Sequence, residues 1–178
     1  MQKSLYVWDI VVRSFHWLLV LAFALAFATE DFSVLHAYIG YFILGLIAVR
    51  LLWGVIGSKH ARFSDFIYRP RVIKQYLKDL FFKRAKHYVG HNPAGGLMIV
   101  LMLISLILTA VTGHYAYESE VFMIYAEHES WLEEVHEALA FFSLTLVFVH
   151  VVGVLLESVL HGENLISAMI SGWKRRSE

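Results

Sequence analysis

The chain alternates long apolar runs with short polar ones, and four of the runs reach the roughly 20 helical residues that a bilayer crossing takes. They fall at 8–28, 35–56, 94–113 and 135–156. The third (GGLMIVLMLISLILTAVTG) is almost wholly apolar, whereas the others carry isolated polar residues. Pro70 and Pro93 both lie outside the runs, as unbroken helices require. After Pro70, a residue suited to a first helical position, Val72, Ile73, Tyr76, Leu77, Leu80 and Phe81 recur at helical spacing with Lys and Arg between them. That pattern predicts an amphipathic helix on anionic lipid, with a solvated connector as the alternative. The expected fold is all-α: an integral membrane four-helix bundle with a cytoplasmic surface helix between spans two and three, in a single domain over 1–178.

Composition agrees with the pattern. Of 178 residues, 58% are apolar and only 17% charged, too few charges to coat a soluble domain. The absence of cysteine excludes disulfides, thiolate metal sites, iron–sulfur clusters and covalently attached c-type haem. Any bound iron must then rely on histidine, of which there are ten. The first apolar run contains Asp9, Arg13 and His16 and lacks a small-residue cleavage site, so it reads as a retained span rather than a signal peptide.

A formal net charge of zero conceals a strong asymmetry. Nine Lys and Arg between spans two and three, from Lys59 to Lys86, face only Asp65 and Asp79, and Lys174, Arg175 and Arg176 follow span four. The other two loops hold Glu30, Asp31, Glu118, Glu120, Glu127, Glu129, Glu133 and Glu134 without a single Lys or Arg. The positive-inside rule places both termini and the middle loop in the cytoplasm, with the acidic loops outside.

The polar residues inside the spans point to chemistry. His136 and His150 are fourteen residues apart, which returns within roughly 40° of the same helix face after a rise of about 21 Å. Because successive spans alternate direction, His16 in span one matches His150 in depth, and His36 at the start of span two matches His136. Two opposed neutral imidazoles suit the axial positions of a haem iron. Hydrogen bonding between helices is the alternative for any one of them, but four histidines at two matched depths favour ligation. His114 and His91, at the ends of span three, are secondary candidates for the outer and inner iron. His60, His87, His128 and His161 are expected to be solvated. Arg50 and Arg13 can pair with haem propionates, and Arg13 can equally snorkel to lipid phosphates. Gly40, Gly45, Gly54, Gly95 and Gly96 serve either a porphyrin's close approach or plain helix packing.

RSFHWLL, HAYIG, AVRLLWG, GHNPAGG, the His136/His150 spacing and LHGENLISAMISGWKR occur in that order, and together they resemble the prokaryotic di-haem cytochrome b-561 family. The same set is similar to the b-type cytochrome subunits of nickel–iron hydrogenases and formate dehydrogenases. The resemblance implies two haem b groups, the inner held by His16 and His150 and the outer by His36 and His136. It also makes Asn92 a quinone-site candidate, whereas the residue alone reads equally well as the cap of span three. The implied function is transmembrane electron transfer between the quinone pool and a periplasmic redox partner attracted by the acidic loops. That makes the chain an electron-transfer component of the respiratory chain, quinol/quinone-linked. The competing readings are a haem-bearing anchor subunit of a hydrogenase-type complex, a superoxide/quinone oxidoreductase, and a metal or proton pathway without haem. The apolar faces admit a homodimer or lipid, and nucleic acid is not an expected partner.

Overall fold

The computed structural model describes residues 4–82, 84–122 and 129–175. Residues 123–128, which include Glu127 and His128, together with Lys83 and Arg176, lie outside the described residues. In chain order the elements are β1 (Ser4–Tyr6), α1 (Ile10–Ala28), α2 (Ser33–Ile56), a 3₁₀ turn (Lys59–Ala61), α3 (Phe63–Phe66) and α4 (Pro70–Phe81). They continue with α5 (Pro93–Phe122), α6 (Glu129–His161), α7 (Leu165–Ser171) and β2 (Trp173–Arg175).

The four expected spans are α1, α2, α5 and α6, each long and apolar enough to cross a membrane, and the fold is an all-α membrane helical bundle. Their apolar faces are exposed, as at Leu21, Phe42, Leu52, Val55 and Phe148, because hydrocarbon rather than water is the solvent there. Two helices outrun the expected spans: α5 continues from 113 to Phe122, and α6 begins at Glu129 rather than 135 and ends at His161 rather than 156. An apolar run marks only the part of a helix that meets hydrocarbon. Residues with good helix propensity, such as Ala116 and Glu118 in α5 or Glu133 and Glu134 in α6, carry the same hydrogen-bond ladder further.

The described chain divides into two units. One comprises Met1–Ser14, Leu51–Val100 and Phe148–Glu178; the other comprises Phe15–Arg50 and Leu101–Val147. The first contains structure beyond the apolar runs. Asp9 starts α1 by accepting from the backbone N–H of Val12 at 2.9 Å, an N-cap bond. Its other oxygen accepts from the Trp53 indole at 3.0 Å and the Ser58 hydroxyl at 2.5 Å, tying the beginning of α1 to the end of α2. Asn164 caps α7 by accepting from Ser167 N–H at 2.8 Å, and Gly172 ends that helix at φ 88°, a left-handed conformation suited to glycine. The Gly172 carbonyl then accepts from the N–H groups of Val7 and Trp8, and β1 pairs antiparallel with β2, Leu5 opposite Lys174. Val7, Trp8, Val12, Ala61 and Ala168 form a small core beneath this sheet, with Trp53, Val89 and Met169 packed on it.

In α4, Tyr76 faces inward and is buried, while Leu77 and Phe81 are exposed beside Arg71, Lys74 and Lys78. Burial, and then the hydrogen bond it donates to Glu157, push the Tyr76 phenol well above its ordinary pKa, so it remains a donor.

The second unit is held by hydroxyls inside an apolar interface. Ser105 on α5 and Ser143 on α6, both buried, hydrogen-bond at 2.7 Å, and Thr109 Oγ1 joins Ser143 at 3.2 Å. Interhelical hydroxyl pairs of this kind substitute for the hydrophobic driving force that lipid removes.

Burial alone would raise the Asp9 carboxyl, but hydrogen bonds from Ser58, Trp53 and the backbone together hold it below its ordinary value of 3.8. Its contribution to stability is therefore whole above pH 3.8 and is lost as the pH falls below that value. Thermal unfolding in detergent should show Asp9→Ala costing about 1–3 kcal/mol at neutral pH, through the stranded indole N–H. The deficit should shrink on acidification; one independent of pH would contradict the assignment.

Candidate functional site

The second unit brings two of the proposed ligands together. His36 lies in the first turn of α2 and His136 in α6, and their ring centroids are 5.9 Å apart with planes at 87°. Each ring is held by its Nδ1: His36 donates to the Ala26 carbonyl near the end of α1 at 2.9 Å, and His136 donates to the Thr109 carbonyl of α5 at 2.8 Å. A backbone carbonyl can only accept, so both Nδ1 atoms carry the proton and both Nε2 atoms keep a lone pair. Gly113 makes the second bond sterically possible, since a Cβ there would sit 2.7 Å from His136 Cε1. Sequence reasoning missed these positioning groups. No sequence signal marks the two carbonyls, since every residue has one.

His114, the competing outer candidate, is engaged elsewhere: its Nδ1 hydrogen-bonds with the Tyr41 hydroxyl at 2.9 Å, and its Nε2 lies 3.7 Å from Glu118. His16 is half-buried on α1 with its ring edge-on to Trp17 at 4.9 Å; it falls in the second unit. His150 is half-buried on α6 and falls in the first. The His91 ring lies tilted against Trp8 (4.5 Å) and Phe66 (4.6 Å).

The supporting residues divide clearly. Arg50 is only 3% exposed, which for a guanidinium inside an apolar helix implies a specific electrostatic role. The Nε of Arg13 is buried without a hydrogen-bond acceptor among the described residues. Asn92 caps α5 as its alternative reading required, Oδ1 accepting from Gly95 N–H at 2.7 Å, which leaves its amide NH₂ for a ligand. Of the five glycines, Gly54 packs on the Phe63 ring, Gly96 on the Phe66 carbonyl, and Gly95 faces the Asn92 side chain. Gly40 and Gly45 face open space, so they alone retain the close-approach reading.

The expectation that His60, His87 and His161 are solvated fails. His60 Nδ1 meets Asp65 at 2.9 Å, His87 Nε2 meets Glu163 at 3.2 Å, and His161 Nε2 meets Glu157 at 3.1 Å. Glu163 also receives Lys174 at 3.2 Å, both being nearly fully buried. His161 and Glu157 lie four residues apart on α6 and His60 and Asp65 five apart at the start of α3, so both pairs are local; His87 reaches Glu163 because the segments before α5 and α7 come together.

A family model described as prokaryotic cytochrome b561 matches residues 7–172. A probable Ni/Fe-hydrogenase B-type cytochrome subunit of Azotobacter vinelandii is 25% identical, the alignment covering 97% of this chain and 89% of that protein. One from Bradyrhizobium diazoefficiens is 26% identical, covering 96% and 86%. One from Rhodobacter capsulatus is 22% identical, covering 96% and 81%. No solved structure matches the chain.

Haem b is the group these similarities imply, and the donor set fits it. With metal–imidazole bonds of about 2.0 Å, two rings sharing one iron have centroids about 6 Å apart, close to the 5.9 Å between His36 and His136. Their protonation state leaves the ligating lone pairs free of the protein, and the buried Arg13 Nε is suited to a propionate.

Gly113→Ala should push the His136 ring off the Thr109 carbonyl and weaken haem retention at this pair about 10- to 100-fold, the usual effect of losing a hydrogen bond behind a metal-bound histidine. Haem absorbance per purified chain checks this, and unchanged retention would contradict the role given to Gly113.

Proposed function

The chain belongs to the prokaryotic cytochrome b561 family, and from that premise we propose that it carries electrons through two bis-histidine haems, between the quinone pool and a redox partner outside a bacterial inner membrane. It is a multi-pass membrane protein that bears haem b and transfers electrons. Haem b supplies reversible one-electron chemistry at iron. The chain supplies the ligands, their orientation and an apolar surround.

The observation that carries the reading is the outer pair: two imidazoles at 5.9 Å, each with its proton fixed on Nδ1 by a backbone carbonyl. His16 and His150 are proposed as the inner pair. The unbroken helical course of α6 from Glu129 to His161 supports it, because the fourteen-residue spacing has meaning only on one continuous helix. Arg50 and Arg13 are assigned to propionates, and the Asn92 amide to a quinone oxygen. The pairing of β1 with β2 supports placing both ends of the chain on one side, and the basic middle segment supports calling that side cytoplasmic. The acidic outer segment, including Glu133 and Glu134, would attract a basic partner.

A second reading, favoured by the relatives' names, makes the chain the haem-bearing membrane subunit of a hydrogenase-type complex. It shares the same haems and differs in the partner, so co-purification of a periplasmic metalloenzyme would select it.

The haem-to-protein ratio of detergent-purified chain tests the core of the proposal. Two b-type haems per chain are expected, with one lost selectively in His16→Ala and the other in His136→Ala. A single haem, or haem that survives both substitutions, would overturn the ligand assignment.

A further inference from the structure

Beside the proposed quinone position, the first unit buries more ionisable groups than its fold requires. The Lys174–Glu163 pair suffices to fasten β2, since Lys174 also donates to the Tyr88 carbonyl at 3.2 Å. Yet His87 faces the same Glu163 oxygen, and its ring contacts the His161 ring at a centroid distance of 5.1 Å. His161 in turn faces Glu157, which accepts a short hydrogen bond from the buried Tyr76 hydroxyl. The groups facing this cluster are Tyr76 from α4, His87 and Tyr88 from the segment before α5, Glu157 and His161 from α6, Glu163 before α7, and Lys174 from β2.

Each imidazole faces a carboxylate and the two rings touch, so adjoining groups able to donate and accept a proton are gathered here. The cluster also lies near Asn92. The Tyr88 ring contacts both Tyr76 (5.6 Å) and Tyr68 (5.9 Å), and the Tyr68 hydroxyl donates to the carbonyl of His91, the residue before Asn92.

We propose that His87, His161, Glu157 and Tyr76 form a proton relay that serves a quinone bound beside Asn92. The inference rests on the quinone reading above. Reducing a quinone to quinol takes two electrons, delivered through reduced haem b, and two protons from the aqueous phase, which must cross this buried layer. Oxidation of quinol reverses both flows. Glu157 is the branch point, facing His161 through one oxygen and Tyr76 through the other.

The test uses detergent-purified holoprotein, chemically reduced and then reoxidised in a stopped-flow instrument by decylubiquinone or by ferricyanide, which accepts electrons without protons. Glu157→Gln and His161→Gln should slow reoxidation by decylubiquinone about 10²-fold, the low end of a lost general acid. Both should change its pH profile and solvent isotope effect and leave the ferricyanide rate unchanged. Added imidazole should partly restore His161→Ala. Independently of turnover, the reduced-minus-oxidised infrared spectrum should lose a deuterium-sensitive carboxyl band in Glu157→Gln. Lys174→Met, which opens the contact that fastens β2 and leaves Glu157, His161 and Tyr76 in place, should lower thermal stability more than it slows reoxidation by decylubiquinone. Variants matching wild type in rate, pH profile and infrared spectrum would overturn the relay while leaving the quinone reading intact. Wild type that reacts with ferricyanide but not with decylubiquinone would overturn both.

Discussion

Two hydrogen bonds from imidazole to backbone carry the weight of the site. An imidazole in hydrocarbon must satisfy one N–H and one lone pair, and water is not available to do either. Ala26 and Thr109 each lend a carbonyl to Nδ1–H, which settles the tautomer, fixes the ring plane and turns Nε2 of both His36 and His136 into unspent donors of an electron pair. The local design follows from that need. Gly113 has no side chain because the ring must reach past it. Ser105, Thr109 and Ser143 form hydroxyl contacts because the carbonyl that receives His136 has to stay at a fixed distance from α6. A serine pair between two apolar helices is a minor stabiliser by itself, and its larger effect is register.

The first unit solves a different problem with different means. It gathers the segments flanking the spans into a layer with water-facing chemistry: a capping aspartate at Asp9, a two-stranded sheet, a left-handed glycine and several ion pairs. Burying Lys174 against Glu163 is costly in desolvation and contributes little net stability. Its value lies in fixing where β2 sits. Placing ionisable groups behind such a layer shields them from salt.

Much of this was legible in the sequence. Spans α1, α2, α5 and α6 follow from apolar runs, and the all-α membrane fold follows from them. The approach of His36 to His136 agrees with the matched depths, but His114 lay at the same level and only the structure shows it engaged with Tyr41. What stayed hidden depends on tertiary approach. Nothing in the sequence marks Ala26 and Thr109 as acceptors, since every residue has a carbonyl. The Glu157–His161 pair has i,i+4 spacing on one helix and was open to sequence reading, whereas nothing marks His87 as a partner of Glu163, 76 residues away. Gly54 and Gly96 could be read either way until Phe63 and Phe66 were seen against them. Composition identifies which residues are able to do chemistry, while packing determines which are brought within reach of a partner.

The central claim is that His36 and His136 present Nε2 to one iron with their ring planes crossed. Low-temperature electron paramagnetic resonance of the oxidised, purified protein, grown with ¹⁵N-histidine and compared with His36→Ala, tests this most directly. The account predicts a strongly anisotropic low-spin signal with hyperfine coupling to two imidazole nitrogens, which disappears in the variant. High-spin iron, coupling to a single imidazole, or a signal that persists in His36→Ala would contradict it.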